Sequence, residues 1–375
     1  MQQRQIRKIC DQFQIYGDYL VAIPFGSGHI NDTFQVTYDQ GGVRLHYTLQ
    51  RVNTNVFKDP VKVMENIDRV TTHMLQKIRK SGLETKKRTI RLIHALDGKP
   101  YVIDSDQNCW RCYIFIENAR TYDVLESERI AYKVAQTFGE FQLDMVDLPG
   151  GRLHETIPNF HNTPVRIAAL EQALREDVRG RAAHVQKEAD FILSRAEECG
   201  RLLDLHRQGL IPERITHNDT KVNNILIDDV SGEGICVIDL DTVMPGLALY
   251  DFGDLVRTCT SPAAEDEIDL DKVFMRFDMF EALLRGYLAS ASGFLKPAER
   301  EELPFAGKLI TLEIATRFLT DYLQGDVYFK THRVGHNLDR CRNQLKLVQS
   351  IEDQFDDMHK LLQSLRRKVK RKSLF

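Results

Sequence analysis

The polar segment ITHNDTKVNNILID, residues 215–228, constrains this chain more than any other feature of its sequence. Within residues 217–224 it crowds a histidine, an aspartate, a lysine and three asparagines, with apolar residues on both sides. Burying polar groups costs free energy unless they are hydrogen-bonded, so a soluble protein has little structural reason to collect them. The segment therefore predicts a functional site.

The spacing of these residues is the one that phosphoryl transfer requires. His217, Asp219 and Asn224 form the pattern HxDxxxxN, and a second carboxylate follows at Asp239. The reaction needs one carboxylate beside the attacking hydroxyl, and an amide oxygen with a second carboxylate to hold the magnesium that neutralises the nucleotide phosphates. We therefore predict Asp219 as the catalytic base, Asn224 and Asp239 as metal ligands, and His217 as a brace for the loop.

Two neighbouring residues extend the predicted site. Lys221 lies two residues after Asp219, close enough to offset the charge that develops on the transferring phosphoryl group. Asp239 and Asp241 are two apart in a strand-like stretch, so we expect them to share a face, with Asp241 as a further metal carboxylate or as support for the first. Each feature alone is typical of a capped turn, a loop or a strand end. Only the whole set in this order is specific.

A glycine-containing turn upstream is a candidate cover for the phosphates. Gly26, Ser27 and Gly28 lie between two strand patterns, where glycine lets backbone N–H groups approach an anion closely. Taken alone, the stretch is typical of an ordinary hairpin turn. Together with the downstream pattern, it predicts a nucleotide-binding loop.

Composition excludes several classes of protein. The chain has 375 residues, 42% hydrophobic and 28% charged, which indicates a soluble globular protein of about two domains. A net charge of −3 leaves no broad basic surface for nucleic acid. The N-terminus lacks the apolar core of a signal peptide, and no stretch approaches the roughly 18 apolar residues of a membrane span. We therefore expect a cytoplasmic protein with no nucleic-acid or membrane partner; its oligomeric state stays open.

The seven cysteines form an odd, scattered set, which argues for reduced thiols. Two of them, Cys109 and Cys112, form a CxxC in a strand-like run. Residues three apart in a strand point to opposite faces, so this pair is predicted to be structural.

Hydrophobic patterning divides the chain into a sheet-rich part and a helical part. The first part alternates as strands do and is interrupted by one amphipathic helix, whereas helical periodicity dominates the second, apart from ILID and GICVIDLD. We predict an α+β protein with domains at 1–117 and 118–375 and a ligand-binding cleft between them. The predicted strands lie at 20–25, 30–38, 44–52, 99–104 and 109–117, and the helices at 60–80, 126–144, 181–206, 274–289, 309–323 and 338–365.

These motifs resemble those of the aminoglycoside phosphotransferase and choline kinase superfamily, whose protein-kinase-like fold carries HxDxxxxN and ID in the same order. Within that superfamily the chain most closely resembles the bacterial N-acetylhexosamine 1-kinases, which phosphorylate the anomeric hydroxyl of N-acetylglucosamine and N-acetylgalactosamine. The similarity spans nearly the whole chain. It includes GSGHINDTF (26–34), LQRVNTNVF (49–57), HETIPNFHNTP (154–164), THNDTKVNNIL (216–226), VIDLDTVMPG (237–246), YDFGD (250–254) and RFLTDYLQGDVYF (317–329).

The resemblance implies a bilobal fold, with a small antiparallel-sheet N-lobe and a larger, mostly helical C-lobe. It implies ATP and Mg²⁺ as cofactors, a sugar as the small-molecule substrate, and a hinge from Phe115 to Glu117 that meets adenine through its backbone. Arg317 and Asp321, four apart on a predicted helix, would pair or both meet sugar hydroxyls, although an ordinary surface ion pair fits the spacing equally well. The residues implied at the sugar are His29, Asp219, Arg317, Asp321 and Tyr328.

Gln50 departs from the pattern of the wider superfamily, many of whose members place a lysine or arginine on the third strand to grip the phosphates. Arg51 is adjacent but faces the other way by strand alternation. The resembled sugar kinases tolerate glutamine at this position, so nucleotide binding there is still expected. The matching helix carboxylate, Glu65, is left without an evident partner and equally fits a solvated helix face.

Three functions stay open from the sequence. The first is a sugar 1-kinase, and the second is a kinase of the same fold for an amino alcohol or an aminoglycoside. Such cationic acceptors call for carboxylates or aromatic rings, whereas a neutral sugar needs hydrogen-bond donors and acceptors of mixed kind. The third is a catalytically weak binding module, suggested by Gln50. A metal-dependent hydrolase would use the same acidic residues but would not need the glycine turn or the hinge.

Overall fold

The computed structural model of the protein describes residues 3–26, 30–83, 88–122, 124–125 and 127–372, with side chains up to residue 365. Its strands are β1 (Asp18–Pro24), β2 (Asp32–Gln40), β3 (Val43–Arg51), β4 (Leu92–Ile93), β5 (Val102–Ile103), β6 (Cys109–Ile114), β7 (Ala119–Arg120), β8 (Arg214–Thr216), β9 (Ile225–Asp228), β10 (Gly234–Val237) and β11 (Met244–Gly246). Its α-helices are α1 (Gln3–Cys10), α2 (Pro60–Ser81), α3 (Glu128–Met145), α4 (Thr163–Glu176), α5 (Gln186–Leu193), α6 (Arg201–Arg207), α7 (Ala248–Thr260), α8 (Phe277–Ala291), α9 (Pro297–Glu301), α10 (Leu303–Gln324), α11 (His336–Asp353) and α12 (Phe355–Lys372).

The chain forms two compact units, each built from three segments. Unit 1 comprises Met1–Arg120, Asp147–Pro158 and Leu226–Pro245, and unit 2 comprises Thr121–Val146, Asn159–Ile225 and Gly246–Phe375. The expected cut after residue 117 therefore falls near the end of the first segment only. The α+β class is confirmed, with an antiparallel sheet in the N-terminal part and helices in the C-terminal part.

The main sheet of unit 1 is antiparallel, in the order β1-β2-β3-β6-β4, and β5 also pairs with β6. One face forms a hydrophobic core in which Ile6 and Ile9 of α1 are buried with Leu49 and Trp110. Alternation along each strand turns the remaining side chains to the opposite face. On β3, the cross-strand neighbours of one such residue, Gln50, are Thr33 on β2 and Arg111 on β6. A polar row therefore crosses three strands.

The helix α2 of unit 1 follows the predicted pattern closely. The Asp59 carboxylate accepts the Lys62 N–H at 3.3 Å, which caps the first turn, and Pro60 occupies the first helical position. Gly82 ends the helix in a left-handed conformation, φ 66°. The apolar stripe, including Val63 and Ile67, is buried, so the predicted helix at 60–80 is confirmed.

Unit 2 is organised around α10, which is buried along most of its length and packs against α4, α7 and α11. A second close pair is α3 with α8. There a Cβ on Gly286 would lie 2.1 Å from the carbonyl oxygen of Tyr132, so only glycine permits this approach.

Two predicted helices are wrong in extent. The stretch 181–206 is divided into α5 and α6 by 3₁₀ turns, one of which ends at Gly200, a weak helix former. The stretch 338–365 is divided into α11 and α12 at Gln354, whose side-chain amide donates to the carbonyl oxygens of Met275 and Ser350 at 2.9 and 3.2 Å. Such tertiary contacts leave no trace in hydrophobic periodicity.

Four helices of the described chain were not predicted, namely α1, α4, α7 and the short α9. In α7 the polar residues Asp251, Asp254 and Arg257 recur at helical spacing, but they were not recognised as a helical pattern, and in the structure they are buried with almost all of the helix. Its position matters for the candidate site because it carries Asp251.

All seven cysteines are buried free thiols. Cys109 and Cys112 lie in β6, as predicted. Within the described part of the chain, no helix combines the length and apolar character needed to cross a membrane.

Candidate active site

The HND segment forms a tight loop between β8 and a 3₁₀ turn at Val222–Asn224. Asn218 has a left-handed backbone, φ 64°, a conformation that asparagine adopts more readily than most residues. The Thr216 hydroxyl donates to Asn218 Oδ1 at 3.0 Å. A Cβ on Gly246 would lie 2.3 Å from that hydroxyl oxygen, so glycine is required beside the loop.

Asp251 on α7 holds this loop through its backbone. The carboxylate accepts the N–H groups of His217 and Asn218 at 3.0 and 2.7 Å, and Gln142 Nε2 donates to it at 2.6 Å. Burial raises the pKa of Asp251 above its usual value, and the neighbouring His217 and the N–H donors offset only part of this effect. Asp251 was not assigned to the site from the sequence. The available signal was its place in the stretch YDFGD (250–254), which carried part of the family resemblance but was given no role.

His217 braces the loop from within. Its ring is buried edge-on against Phe138 and Phe141, with centroids 5.4 and 5.9 Å away. Its Nδ1 accepts the backbone N–H of Asp219 at 3.3 Å. Ring packing fixes the imidazole, and the imidazole in turn fixes the residue predicted to be the base. These contacts agree with the bracing role expected from the sequence.

Asp219, Lys221 and Asn224 come together on the loop. Lys221 Nζ lies 2.8 Å from Asp219 Oδ1, and Asn224 Nδ2 donates to the Asp219 carbonyl oxygen at 2.8 Å and to its Oδ2 at 3.2 Å. Burial by itself would raise the pKa of Asp219, but the Lys221 ammonium, with His217 and Arg257, holds that pKa below its usual range. Burial would likewise lower the pKa of Lys221, and Asp219 raises it to about 12. The pair is therefore carboxylate and ammonium at neutral pH.

His161 supports the same loop from another side and was not singled out from the sequence. Its Nδ1 lies 2.8 Å from Glu313 Oε1 on α10, and its Nε2 lies 3.3 Å from the carbonyl oxygen of Asn218. The Thr163 hydroxyl also donates to Glu313, at 2.6 Å. A histidine-carboxylate pair thus ties α10 to the residue before Asp219.

Gln50 lies at the centre of the polar row in unit 1. Its Oε1 accepts hydrogen bonds from Nε and Nη2 of Arg111, at 2.8 and 2.6 Å, and from the Tyr113 hydroxyl, while its Nε2 donates to Thr33 Oγ1 at 2.9 Å. Arg51 faces away from this group and pairs with Asp32, as strand alternation predicted. Arg111 was missed from the sequence, because no sequence pattern related it to Gln50.

Asp239 and Asp241 do not lie in a strand. β10 ends at Val237, Asp239 has φ 57°, and Leu240–Thr242 is a 3₁₀ turn. The expectation that both side chains share a strand face is therefore wrong, because the alternating sequence pattern continues past the last paired residue. Asp241 is buried and both of its oxygens are engaged: Oδ1 accepts from Arg111, and Oδ2 accepts from Asn31 Nδ2 at 2.7 Å. These contacts favour a supporting role for Asp241 over metal ligation.

The predicted hinge is anchored at both ends by His46. The Phe115 N–H donates to the His46 carbonyl oxygen at 3.1 Å, and His46 Nδ1 lies 2.7 Å from Glu117 Oε1. Arg88 donates to the Glu117 carbonyl oxygen at 2.8 Å. Adenine binding by this segment stays a prediction.

The glycine turn and the α2 carboxylate Glu65 are the other predicted site features in the N-terminal part of the chain. Gly26 has a left-handed backbone, φ 82°. Ser27, Gly28 and His29 lie outside the described residues. Glu65 does have a partner, because its Oε2 lies 2.7 Å from His154 Nε2, although the carboxylate is largely exposed.

Arg317 and Asp321 have different partners in unit 2. The Arg317 guanidinium lies over the rings of Phe160, Tyr328 and Phe329, at 5.1, 5.6 and 5.5 Å from their centroids. The buried Asp321 carboxylate accepts the N–H groups of residues 327, 328 and 329 at 2.8 to 3.0 Å, and the Asn337 amide donates to it at 2.8 Å. Asp321 therefore shapes the loop that carries Tyr328.

The antiparallel sheet, the helical unit and the braced HxDxxxxN loop are features of a phosphotransferase. The chain matches the profile of the family described as "Phosphotransferase enzyme family" (APH) over residues 21–283, and it belongs to that family.

Solved structures share this fold at low sequence identity. An aminoglycoside phosphotransferase from Alicyclobacillus acidocaldarius aligns with a TM-score of 0.57 and 14% identity, covering 97% of this chain and 96% of that one. A choline kinase from Cryptosporidium parvum gives 0.58 and 16%, covering 96% and 98%. A spectinomycin phosphotransferase in complex with ADP and spectinomycin gives 0.59 and 12%, covering 94% and 99%. Likeness at this level shows the fold.

Proposed function

We propose that this protein is an ATP-dependent kinase that transfers the γ-phosphoryl group to the anomeric hydroxyl of an N-acetylhexosamine, giving the sugar 1-phosphate and ADP. The observation that carries the proposal is the catalytic loop, where Asp219 is paired with Lys221 and braced through His217 and Asp251. Membership of the phosphotransferase family supports the reaction class, and the sequence resemblance supports the sugar.

In this proposal Asp219 aligns the acceptor hydroxyl and receives its proton. Its lowered pKa keeps it ionised at neutral pH, and an anomeric hydroxyl is more acidic than an ordinary alcohol, so a weakly basic carboxylate suffices. Lys221 adds positive charge beside the transferring phosphoryl group. Positioning and charge neutralisation supply most of the rate in such reactions.

Magnesium, which prefers oxygen ligands, would be held by Asn224 and Asp239 together with nucleotide phosphates. The nitrogen of Asn224 is committed to Asp219, so the amide oxygen is the atom that Asn224 presents to a cation. Bound there, magnesium would neutralise the phosphate charge. In the described part of the chain no three His, Cys, Asp or Glu side chains gather as a metal site. A cation held by one carboxylate, one amide and phosphate oxygens fits that donor set.

The charge around Phe160 favours a neutral acceptor over a cationic one. Arg317 lies over the Phe160 ring, and Arg166 donates to the Phe160 carbonyl oxygen at 3.0 Å. Burial lowers the pKa of Arg166, and the charge of Arg317 lowers it further, so these two guanidinium groups repel each other, with the Glu313 carboxylate offsetting part of this effect. Asp321, the carboxylate that the resemblance places at the substrate, is occupied by loop N–H groups. Amino alcohols and aminoglycosides would meet two arginines here.

The remaining predictions about the site complete the proposal. The turn at Gly26, Ser27 and Gly28 would cover the phosphates, and His29, Arg317 and Tyr328 would contact the sugar. A cytoplasmic location is part of the same proposal. A kinase of amino alcohols or aminoglycosides is the second candidate, because solved proteins of this fold are named for those substrates.

An acceptor panel tests the proposal. ATP consumption is measured with N-acetylglucosamine, N-acetylgalactosamine, glucosamine, choline and an aminoglycoside, and phosphorus NMR locates the phosphate on the product. N-acetylglucosamine and glucosamine form the matched pair, because they differ only in the acetyl group that removes the ammonium charge. We expect turnover of the N-acetyl sugar with phosphate at the anomeric oxygen. Preference for choline or the aminoglycoside would reject the sugar assignment.

A variant pair links that preference to Arg317. Arg317→Met should raise KM for N-acetylglucosamine at least about tenfold, the loss expected for a hydrogen bond to a charged group. The ratio of kcat/KM for N-acetylglucosamine to kcat/KM for glucosamine should fall. Arg340→Met is the control, since Arg340 lies over a different ring, Phe318, at 5.5 Å. An unchanged substrate preference in Arg317→Met would show that Arg317 does not contribute to the acceptor site.

A further inference from the structure

Arg111 is a buried cation whose role no sequence motif explains. Its side chain is 2% exposed and extends from β6. Burial alone would lower its pKa, but Asp241 and other nearby acidic groups raise it above the usual value, so the guanidinium stays charged. A buried charge is costly unless it is paired and hydrogen-bonded, and Arg111 meets both conditions within unit 1.

The guanidinium fork of Arg111 divides between two partners. Nε and Nη2 both donate to Gln50 Oε1, and Nη1 donates to Asp241 Oδ1. Gln50 is therefore the acceptor that orients the fork, and Asp241 is the charge that the fork neutralises. A lysine, with a single point charge, would not make this divided contact.

The turn that carries Asp239 is held through Asp241. Asp241 Oδ2 accepts from Asn31 Nδ2 at 2.7 Å, and Asn31 Oδ1 accepts the Asn53 N–H at 3.0 Å. The Thr156 hydroxyl donates to the carbonyl oxygen of Asp241 at 3.1 Å. Two residues earlier, Asp239 has the left-handed backbone that begins the turn. Side chains from three separate segments, Asn31, Arg111 and Thr156, thus hold the turn that begins at Asp239.

We propose that Arg111, on the strand β6 next to the one that carries Gln50, acts as a positioning residue for Asp239 through Asp241. Gln50 does not grip phosphate in this arrangement; it orients Arg111. The inference rests on the proposed function, because it takes Asp239 to be a magnesium ligand of a bound nucleotide. Its consequence is that magnesium-dependent nucleotide binding depends on a guanidinium that touches neither the metal nor the nucleotide.

The test compares Arg111→Met, the double variant Arg111→Met with Asp241→Asn, and the control Arg51→Met. Arg51 is a neighbouring arginine in an ion pair, with Asp32, on the opposite face of the sheet. The ADP affinity of each variant is measured by calorimetry with and without Mg²⁺, alongside thermal melting and the Mg²⁺ concentration for half-maximal turnover. Calorimetry needs no phosphoryl acceptor, so ADP affinity can be measured even if no acceptor is found.

A positioning role predicts that Arg111→Met weakens ADP binding in the presence of Mg²⁺ by about 10- to 100-fold, the range usual for residues that orient metal ligands. Binding without Mg²⁺ should change little. Because Arg111→Met leaves Asp241 buried without its cation, a lower melting temperature is also expected. The double variant removes both charges and should recover the melting temperature while keeping the Mg²⁺ defect. Arg51→Met should match the wild type in both bindings.

Two results would overturn the inference. Recovery of Mg²⁺-dependent binding in the double variant would mean that Arg111 only neutralises Asp241. Equal loss of ADP binding with and without Mg²⁺ would mean that Arg111 contacts the phosphates directly. Failure of the proposed function is a separate result: the wild type would then phosphorylate no acceptor in the panel, whatever the calorimetry gives.

Discussion

In each unit a buried charged side chain supports a turn, but the bonds that hold the two turns differ. In unit 2, the Asp251 carboxylate accepts backbone N–H groups of the HND loop. In unit 1, the Arg111 guanidinium donates to the side chains of Gln50 and Asp241. A loop held by its backbone keeps its shape when its side chains change. A turn held through side chains depends on the identity of its partners, and its stability is divided among several hydrogen bonds, so the loss of one neutral hydrogen bond is expected to cost little.

The largest expected effect is a loss of turnover when Asp219, on the HND loop held by its backbone, is replaced. Asp219→Asn should lower turnover by about 10²- to 10⁴-fold, the usual worth of a positioned general base. Its ADP affinity should stay near that of the wild type, because the amide has the size of the carboxylate it replaces. ATP consumption and calorimetry measure the two quantities. Asp228→Asn, at the far end of the same segment, is the control and should retain turnover; full activity in Asp219→Asn would rule out the base.

The second effect concerns the charge on that base. Lys221→Met removes the ammonium that opposes burial, so the pKa of Asp219 should rise and the acidic limb of kcat should move to higher pH. The direction follows from linkage. The folded-state pKa of Asp219 lies below its unfolded value, so its stabilisation is present above the unfolded pKa and is lost as pH falls through the folded pKa. In Lys221→Met this loss begins at higher pH.

A pH profile of kcat, with Lys221→Arg as the charge-preserving control, checks this effect. Lys221→Arg should keep the acidic limb near its wild-type position. If both variants share the wild-type profile, the ammonium does not set the pKa of the base.

The third effect tests the backbone brace itself. An amide at position 251 offers one acceptor oxygen where the carboxylate offers two, so one loop N–H loses its partner in Asp251→Asn. The free energy of unfolding should fall by about 2 kcal/mol, the scale of hydrogen bonds to charged groups, and turnover should fall with it. Urea denaturation and kinetics measure both.

Glu299→Gln is the matched control for the brace, because Glu299 is another buried carboxylate of unit 2 and pairs with Arg214 at 2.7 and 2.8 Å. It should lose stability while retaining turnover per folded molecule. Equal kinetic losses in the two variants would show that turnover follows global stability and not the brace.

The smallest effect is expected in the side-chain network of unit 1. Thr33→Val removes the hydroxyl that accepts from Gln50 Nε2 and should cost about 1 kcal/mol, the usual net value of one hydrogen bond. Thr37→Val, on the same face of β2, should change stability by less than about 0.5 kcal/mol. A loss in Thr33→Val as large as that in Asp251→Asn would remove the distinction between the two kinds of support.

The same distinction explains what the sequence could predict. His217, Asp219, Lys221 and Asn224 lie within one short segment, so their spacing carries their relation, and the structure brings them together. The Arg111 network joins residues 31, 50, 111 and 241, whose only connection is the pairing of strands and the approach of a turn. No spacing rule relates such residues. Strands and amphipathic helices were predictable for the same reason as the loop, because their periodicity lies within one segment. The contacts of Asp251 on α7 with the HND loop, about 33 residues earlier in the chain, have no such local signal.

The buried cysteines can serve as probes of unfolding. Burial raises the pKa of each thiol, to about 12 for Cys10, Cys109, Cys199, Cys236 and Cys259, so alkylating reagents at neutral pH find little thiolate in the folded chain. Of all seven thiols, four belong to unit 1 and three to unit 2. The mass added after a short pulse of iodoacetamide should therefore report which unit unfolds first, without any introduced label.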